Sequence, residues 1–196
     1  MRRFRADEDA LGLKLTAKTF ARVVIWGGVA AIMYGEPRFT RDMDVLVRLH
    51  YNQVDTLARV LEEDGYYVSV EAIRDAVDRH FYFNVIHIET GIKIDFLVAE
   101  RDPIHVWAFE HRRVKNFDEF RQASYMPPES VILTKLRAHQ DSSSTRHLDD
   151  IEGILRVSGP ELDLAYVDRE AARVGVFGTW RELLEKSGPP SVSLGL

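Results

Sequence analysis

Two short patterns early in the chain combine residue types that handle phosphate and metal. Trp26-Gly27-Gly28 closes a β-rich run, and Arg38-Phe39-Thr40-Arg41-Asp42-Met43-Asp44 follows shortly after. Glycines between a strand and a helix let backbone N–H groups approach phosphate oxygens closely, and the helix N-terminus favours negative charge there. Asp42 and Asp44 are two residues apart at the mouth of a second strand, so both carboxylates share one face while Met43 points to the other. Paired carboxylates suit a hard divalent cation, Mg²⁺ or Mn²⁺, which takes oxygen ligands and keeps substrate phosphates in its shell. A third acidic residue lies in Lys93-Ile94-Asp95-Phe96-Leu97-Val98. A carboxylate inside an apolar strand is costly unless it is paired or bound to metal. With Asp95 on a neighbouring strand, the three would complete a site for phosphoryl transfer with two ions, one activating an attacking hydroxyl and one holding a triphosphate.

The elements that must position these residues follow from periodicity and turn residues. Arg22 to Trp26 predicts a strand, Val29 to Tyr34 a short buried helix closed by Gly35, and Asp44 to Leu49 a second strand. Tyr51 to Glu63 predicts an amphipathic helix with Val54, Leu57, Val60 and Leu61 inward, stopped by Gly65. Tyr66–Val70, Phe81–Ile88 and Ile92–Val98 predict further strands, the last two joined at Thr90-Gly91. Leu11, Leu13, Leu15 and Phe20 fit an opening helix loosely. After Pro127-Pro128 helices dominate, over residues 129–139, 146–157, 161–173 and 180–186. The expected organisation is an α/β core over residues 1–126, a helical region over 127–188 packed on it, and a flexible tail over 189–196. Trp26, Phe81 and Phe83 are expected as core aromatics, and Trp107 and Trp180 as packing residues.

Composition narrows the class. The chain has 196 residues, 45% hydrophobic and 29% charged, which supports a core without covalent staples. It has no cysteine, which excludes disulfides, thiolate nucleophiles and cysteine metal sites. A net charge of −5 argues against broad electrostatic capture of nucleic acid, although Arg112, Arg113 and Lys115 could form a local basic patch. The basic start Met1-Arg2-Arg3-Phe4-Arg5 runs into Ala6-Asp7-Glu8-Asp9 rather than an apolar stretch, so it does not read as a signal peptide. The longest uncharged run, Val23 to Gly35, falls short of the roughly 20 residues a membrane span needs. The expectation is a soluble, cytoplasmic protein. No histidine pair has convincing zinc-site spacing.

The order Gly-Gly, short helix, Arg-x-Thr-x-Asp-x-Asp and a later Lys-x-Asp strand resembles the nucleotidyltransferase superfamily, in particular minimal bacterial members similar to the abortive-infection (AbiEii-like) toxin nucleotidyltransferases. The resemblance implies an α+β nucleotidyltransferase fold, a mixed sheet flanked by helices with a C-terminal helical extension. It implies triphosphate binding at Gly27 and Gly28 and metal binding by Asp42, Asp44 and Asp95. Glu129-Ser-Val-Ile-Leu-Thr-Lys135-Leu136 looks like the family's acidic, apolar, then lysine helix, so Lys135 would reach the triphosphate. Arg146-His147-Leu148-Asp149-Asp150 looks like the family's Lys-Asp-x-x-Asp helix start. Here Arg146 stands in place of lysine and His147 in place of the first aspartate, while Asp150 keeps the second acidic position and is expected among the nucleotide-binding residues. Arg38 and Thr40 are weaker phosphate-positioning candidates. The activity implied is transfer of a nucleoside monophosphate from an NTP to a hydroxyl acceptor, with two divalent ions.

Each feature also has a plainer reading. Gly-Gly is commonly just a turn, and Asp-x-Asp often caps a helix or solvates an edge. Lys135 could snorkel from an apolar helix face, and Asp150 could be a simple i,i+4 partner of Arg146. Their combination at family spacing favours the enzyme. A nucleotide-sensing or partner-binding module on the same fold is the alternative. The acceptor (protein, tRNA or small molecule) and a partner, antitoxin or second copy, stay open at this level.

Overall fold

The computed structural model describes residues 22–187 apart from positions 41, 100, 118, 120 and 121. The expected opening helix, the tail over 189–196 and Arg41 lie outside the described residues. The centre is a seven-stranded mixed sheet. In chain order its strands are β1 (Arg22–Trp26), β2 (Met43–Arg48), β3 (Tyr66–Tyr67), β4 (Tyr82–His87), β5 (Lys93–Val98), β6 (Arg113–Asn116) and β7 (Gln122–Tyr125). They lie side by side as β3-β4-β5-β2-β1-β7-β6. β2 pairs in parallel with β5, and β1 in parallel with β7. The remaining neighbours run antiparallel.

Strand alternation divides the sheet into two apolar faces, and the helices segregate to match. On one face Met43, Val45, Val47, Phe83, Val85, Ile94, Phe96 and Val98 form a core with helices α2 (Val54–Glu63) and α3 (Val70–Arg79). Helix α2 buries the four predicted residues, with Ala58 beside them. On the other face Val24, Leu46 and Leu97 meet α1 (Gly27–Tyr34), α4 (Pro103–Glu110), α5 (Pro128–Ser142), α6 (Arg146–Ser158), α7 (Leu164–Arg173) and α8 (Phe177–Ser187). Trp180 is fully buried in this second core. Helix α1 has no side-chain cap, and Ala30, Ala31 and Tyr34 hold it by burial. Among the described residues no helix is long and apolar enough to cross a membrane.

Several elements depart from the sequence expectation. The strand predicted over 66–70 is only two residues long, because Ser69 accepts a hydrogen bond from the Ala72 amide and starts α3. Ile73 and Ala76 bury its inner face, and His80 ends it in the left-handed region at φ 54°. Helix α4 was not predicted, although Asp102-Pro103 is a helix start in which the Asp102 side chain accepts from the Ile104 amide. The β6–β7 hairpin was also missed. Its strands are short and half-exposed and show weak apolar alternation. Helix α1 starts at Gly27, two residues before the predicted start. Phe81 is 59% exposed rather than a core aromatic. Arg112, Arg113 and Lys115 are occupied within the fold. Arg112 donates to the Phe109 carbonyl, Arg113 pairs with Glu129, and Arg113 and Lys115 lie over the Tyr34 ring.

Candidate functional site

The antiparallel pairing of β1 with β2 brings the two early motifs together. Trp26 lies opposite Asp44 in the register. The turn into α1 then folds over the Asp44 carboxylate. Gly27 has φ +61°, and a Cβ there would sit 2.0 Å from Asp44 Oδ2. The Gly28 amide donates a long hydrogen bond to the same oxygen, at 3.4 Å. A Cβ on Gly28 would fall 2.8 Å from Thr40 Oγ1 and 3.3 Å from an Arg38 guanidinium nitrogen. Gly27 is therefore required by both close approach and backbone angle, whereas a side chain at Gly28 would have to displace Thr40 and Arg38.

The helical side supplies the positive charge. Lys135, on α5, is buried, and its Nζ lies 2.6 Å from Asp150 Oδ2 on α6. Arg38 grips the same carboxylate with two of its nitrogens, Nε to Oδ1 at 2.5 Å and Nη2 to Oδ2 at 2.8 Å. Asp150 is thus the partner of Lys135 and Arg38. Arg146 instead donates to the Phe39 carbonyl, at 3.1 Å. Burial works against the charge on Asp150, but the hydrogen bonds from Arg38 and Lys135 outweigh it and hold the carboxyl below its ordinary range. Burial also lowers the Lys135 ammonium, and Asp150 opposes that shift. His147 is lowered by burial and by the Lys135 charge.

These groups line one cleft of about 260 Å³. It contains Gly27, Gly28, Arg38, Thr40, Asp42, Asp44, Lys135 and Asp150. Its wall also includes Trp26, Thr134, Ala138, Arg146 and His147. Trp26 was read from sequence as a core residue, and its position directly before Gly27 was the signal that could have placed it here.

Asp95 does not line this cleft. It pairs directly with Asp44 in the parallel β2–β5 register, so both lie on the same face. Its Oδ2 is 2.6 Å from Lys93 Nζ. As the side chains stand, no three metal-binding groups among the described residues converge into a cage. The donor set nonetheless suits a hard cation. Burial raises the Asp44 carboxyl above its ordinary value, the Gly28 amide opposes this, and the neighbouring charges of Asp95 and Asp42 raise it further. A divalent ion beside Asp44 would relieve that cost.

Residues 15–190 match the sequence pattern of the family described as nucleotidyl transferase AbiEii toxin, Type IV TA system. No curated protein sequence matches. Among solved structures, an antigenic nucleotidyltransferase-like protein from Paracoccidioides brasiliensis superposes with a TM-score of 0.47 at 17% identity, over 75% of this chain and 71% of that one. The lincomycin-bound lincosamide antibiotic adenylyltransferase LnuA superposes with a TM-score of 0.49 at 13% identity, over 76% of this chain and 98% of that one. With the family pattern spanning nearly the whole chain, the protein belongs to the AbiEii family of toxin nucleotidyltransferases and is itself a nucleotidyltransferase.

Proposed function

We propose that the protein transfers a nucleoside monophosphate from an NTP to a hydroxyl acceptor, with Asp42, Asp44 and Asp95 holding Mg²⁺ or Mn²⁺. The observation that carries this reading is the single cleft in which the Gly27-Gly28 turn, Asp42, Asp44 and the buried Lys135 meet. Divalent ions bound there would polarise the α-phosphate and acidify the attacking hydroxyl. The Gly27-Gly28 amides and Thr40 hold the triphosphate at the start of α1. Lys135 and Arg38 offset negative charge developing on the leaving pyrophosphate. Asp150 is a positioning residue, because it fixes both cations by direct hydrogen bonds. Asp95 orients the acceptor hydroxyl and takes its proton, exchanging its present partner Lys93 for that role.

The family description further supports a toxin held in check by an antitoxin partner; action in the cytoplasm is part of the same proposal. Calorimetry with Mg²⁺ and each NTP tests the donor site. The wild type is expected to bind at least one NTP only when the metal is present, and the Asp42→Ala plus Asp44→Ala double variant is expected to lose that binding. Equal binding by both proteins would sink the assignment.

A further inference from the structure

The row of residues that carries Asp44 and Asp95 does not end at Asp95. The register continues from Asp44 to Asp95 to Asn84 across β2, β5 and β4, and the adjacent row on the same face runs Leu46, Leu97, Tyr82. The helical layer buries Leu46 and Leu97 but stops short of β4. There Phe83 and Val85 are buried on the opposite face, while Tyr82, Asn84 and Ile86 stand exposed on the face of Asp95. Tyr67 pairs opposite Ile86 and prolongs this surface. Tyr82 is 45% exposed and Tyr67 66% exposed. The Tyr82 ring lies 6.4 Å from that of Trp26 with the planes 23° apart. Trp26 in turn lines the triphosphate cleft, so one aromatic wall joins the cleft to the open face of β4.

Two physical points give this face an occupant. In-line displacement at phosphorus places the entering oxygen opposite the leaving group. The leaving pyrophosphate belongs beside Lys135 and Arg38, so the acceptor must arrive past Asp44 and Asp95 from the other side, where β4 lies. The second point is charge. Lys93 is already paired with Asp95, and Arg137, whose charge reaches Tyr82, is paired with Asp102. Among the described residues, the surface therefore offers rings, a carboxamide and the ammonium of Lys93, which Asp95 releases when it takes the acceptor proton, and exposed apolar surface beside reactive carboxylates suits a ligand contact.

We propose that Tyr82 and Asn84 position the acceptor, and that the acceptor is an alcohol carrying a planar ring. The ring packs on Tyr82, and the Asn84 amide holds the hydroxyl-bearing part against Asp95. The hydroxyl oxygen bonds to the α-phosphorus, its proton passes to Asp95, and the bond from the α-phosphorus to the bridging oxygen breaks so that its electron pair leaves with pyrophosphate. This inference rests on the transfer reaction proposed above.

The test uses the full chain, Mg²⁺ and α-labelled NTP with three acceptor sets: the four free ribonucleosides, a short ribo-oligonucleotide with a free 3′ end, and the ring-free alcohols glycerol and glucose. Label is expected on a ring-bearing acceptor and not on the ring-free alcohols. The first two sets distinguish a free ring compound from a strand end. Tyr82→Ala is expected to raise the acceptor KM by about tenfold or more, with NTP affinity unchanged and with Tyr82→Phe near wild type. Asn84→Ala is expected to lower kcat more than it raises KM. Labelling of glycerol or glucose as well as the ring compounds, an unchanged acceptor KM in Tyr82→Ala, or no labelled acceptor from a protein that binds MgNTP would each overturn the proposal. Failure to bind MgNTP at all would instead remove the transfer reading beneath it.

Discussion

The two sides of Asp44 are built from different materials. Toward the helical layer, Lys135 and Arg38 share the Asp150 carboxylate, and the connections run between residues far apart in sequence. Toward β4, the side chains come from adjacent strands in simple register, and they are carboxylates, an amide and an aromatic ring. The first side is preorganised, because buried Lys135 and half-buried Arg38 already share a counter-charge. The second is open, and its contacts are completed by what binds there. A protein that must hold one defined donor and admit a separate acceptor is served by this division.

Substitutions at the hinge between the two sides should have the largest effect. Gly27→Ala places a methyl group 2.0 Å from Asp44 Oδ2 and forces alanine to φ +61°. Expulsion of the Asp44 carboxylate should reduce transfer by about a thousandfold, comparable with losing a direct electrostatic contact to the reacting group. The chain should stay folded, because neither core contains Gly27. Steady-state rates beside a circular dichroism melt would check both parts. Near wild-type transfer by Gly27→Ala would mean that Asp44 does not act from its present position.

The cationic side should fail differently, in stability as well as rate. Asp150→Asn leaves Lys135 buried without a counter-charge, and breaking such a pair costs about 3–5 kcal/mol. The melting temperature should drop by roughly 10 °C. The pH dependence has a defined sign. The folded carboxyl of Asp150 titrates below its unfolded value, so its stabilisation is complete above the unfolded pKa of about 3.9 and is lost as pH falls through the lower folded value. Melts from pH 6 downward should therefore show the gap between wild type and Asp150→Asn constant near neutrality and closing only in strong acid. A gap that closes between pH 7 and 5 would assign the effect to another group.

The same contrast explains what could be read from sequence. The sheet side was legible because its signals are local. Gly27-Gly28, Asp42-x-Asp44 and Asp95 within an apolar strand each show in a few residues, and strand alternation gives their common face. The partners of Asp150 were not legible. Residue 146 is four positions before Asp150 and looked like its partner, yet the packing of α5 against α6 delivers Lys135 and Arg38 instead. Spacing along a helix cannot anticipate a bond to residue 38. Tyr82 was hidden for a related reason. It reads as an ordinary strand aromatic, and its exposure depends on where the helical layer ends. Helix α3 was missed because the β-rich run Tyr66 to Val70 outweighed the cap at Ser69, and α4 because Asp102-Pro103 was not weighed as a start.

The central claim is nucleotidyl transfer at the carboxylate row, and Asp95 tests it most directly because it stands apart from the triphosphate cleft. α-Labelled NTP and Mg²⁺ would be incubated with whole-cell extract and wild type or Asp95→Asn, following label transfer together with pyrophosphate release. The account predicts metal-dependent transfer by wild type and a fall of about a hundredfold or more in Asp95→Asn. Equal transfer by the two proteins, or transfer undiminished when the divalent ion is chelated, would contradict it.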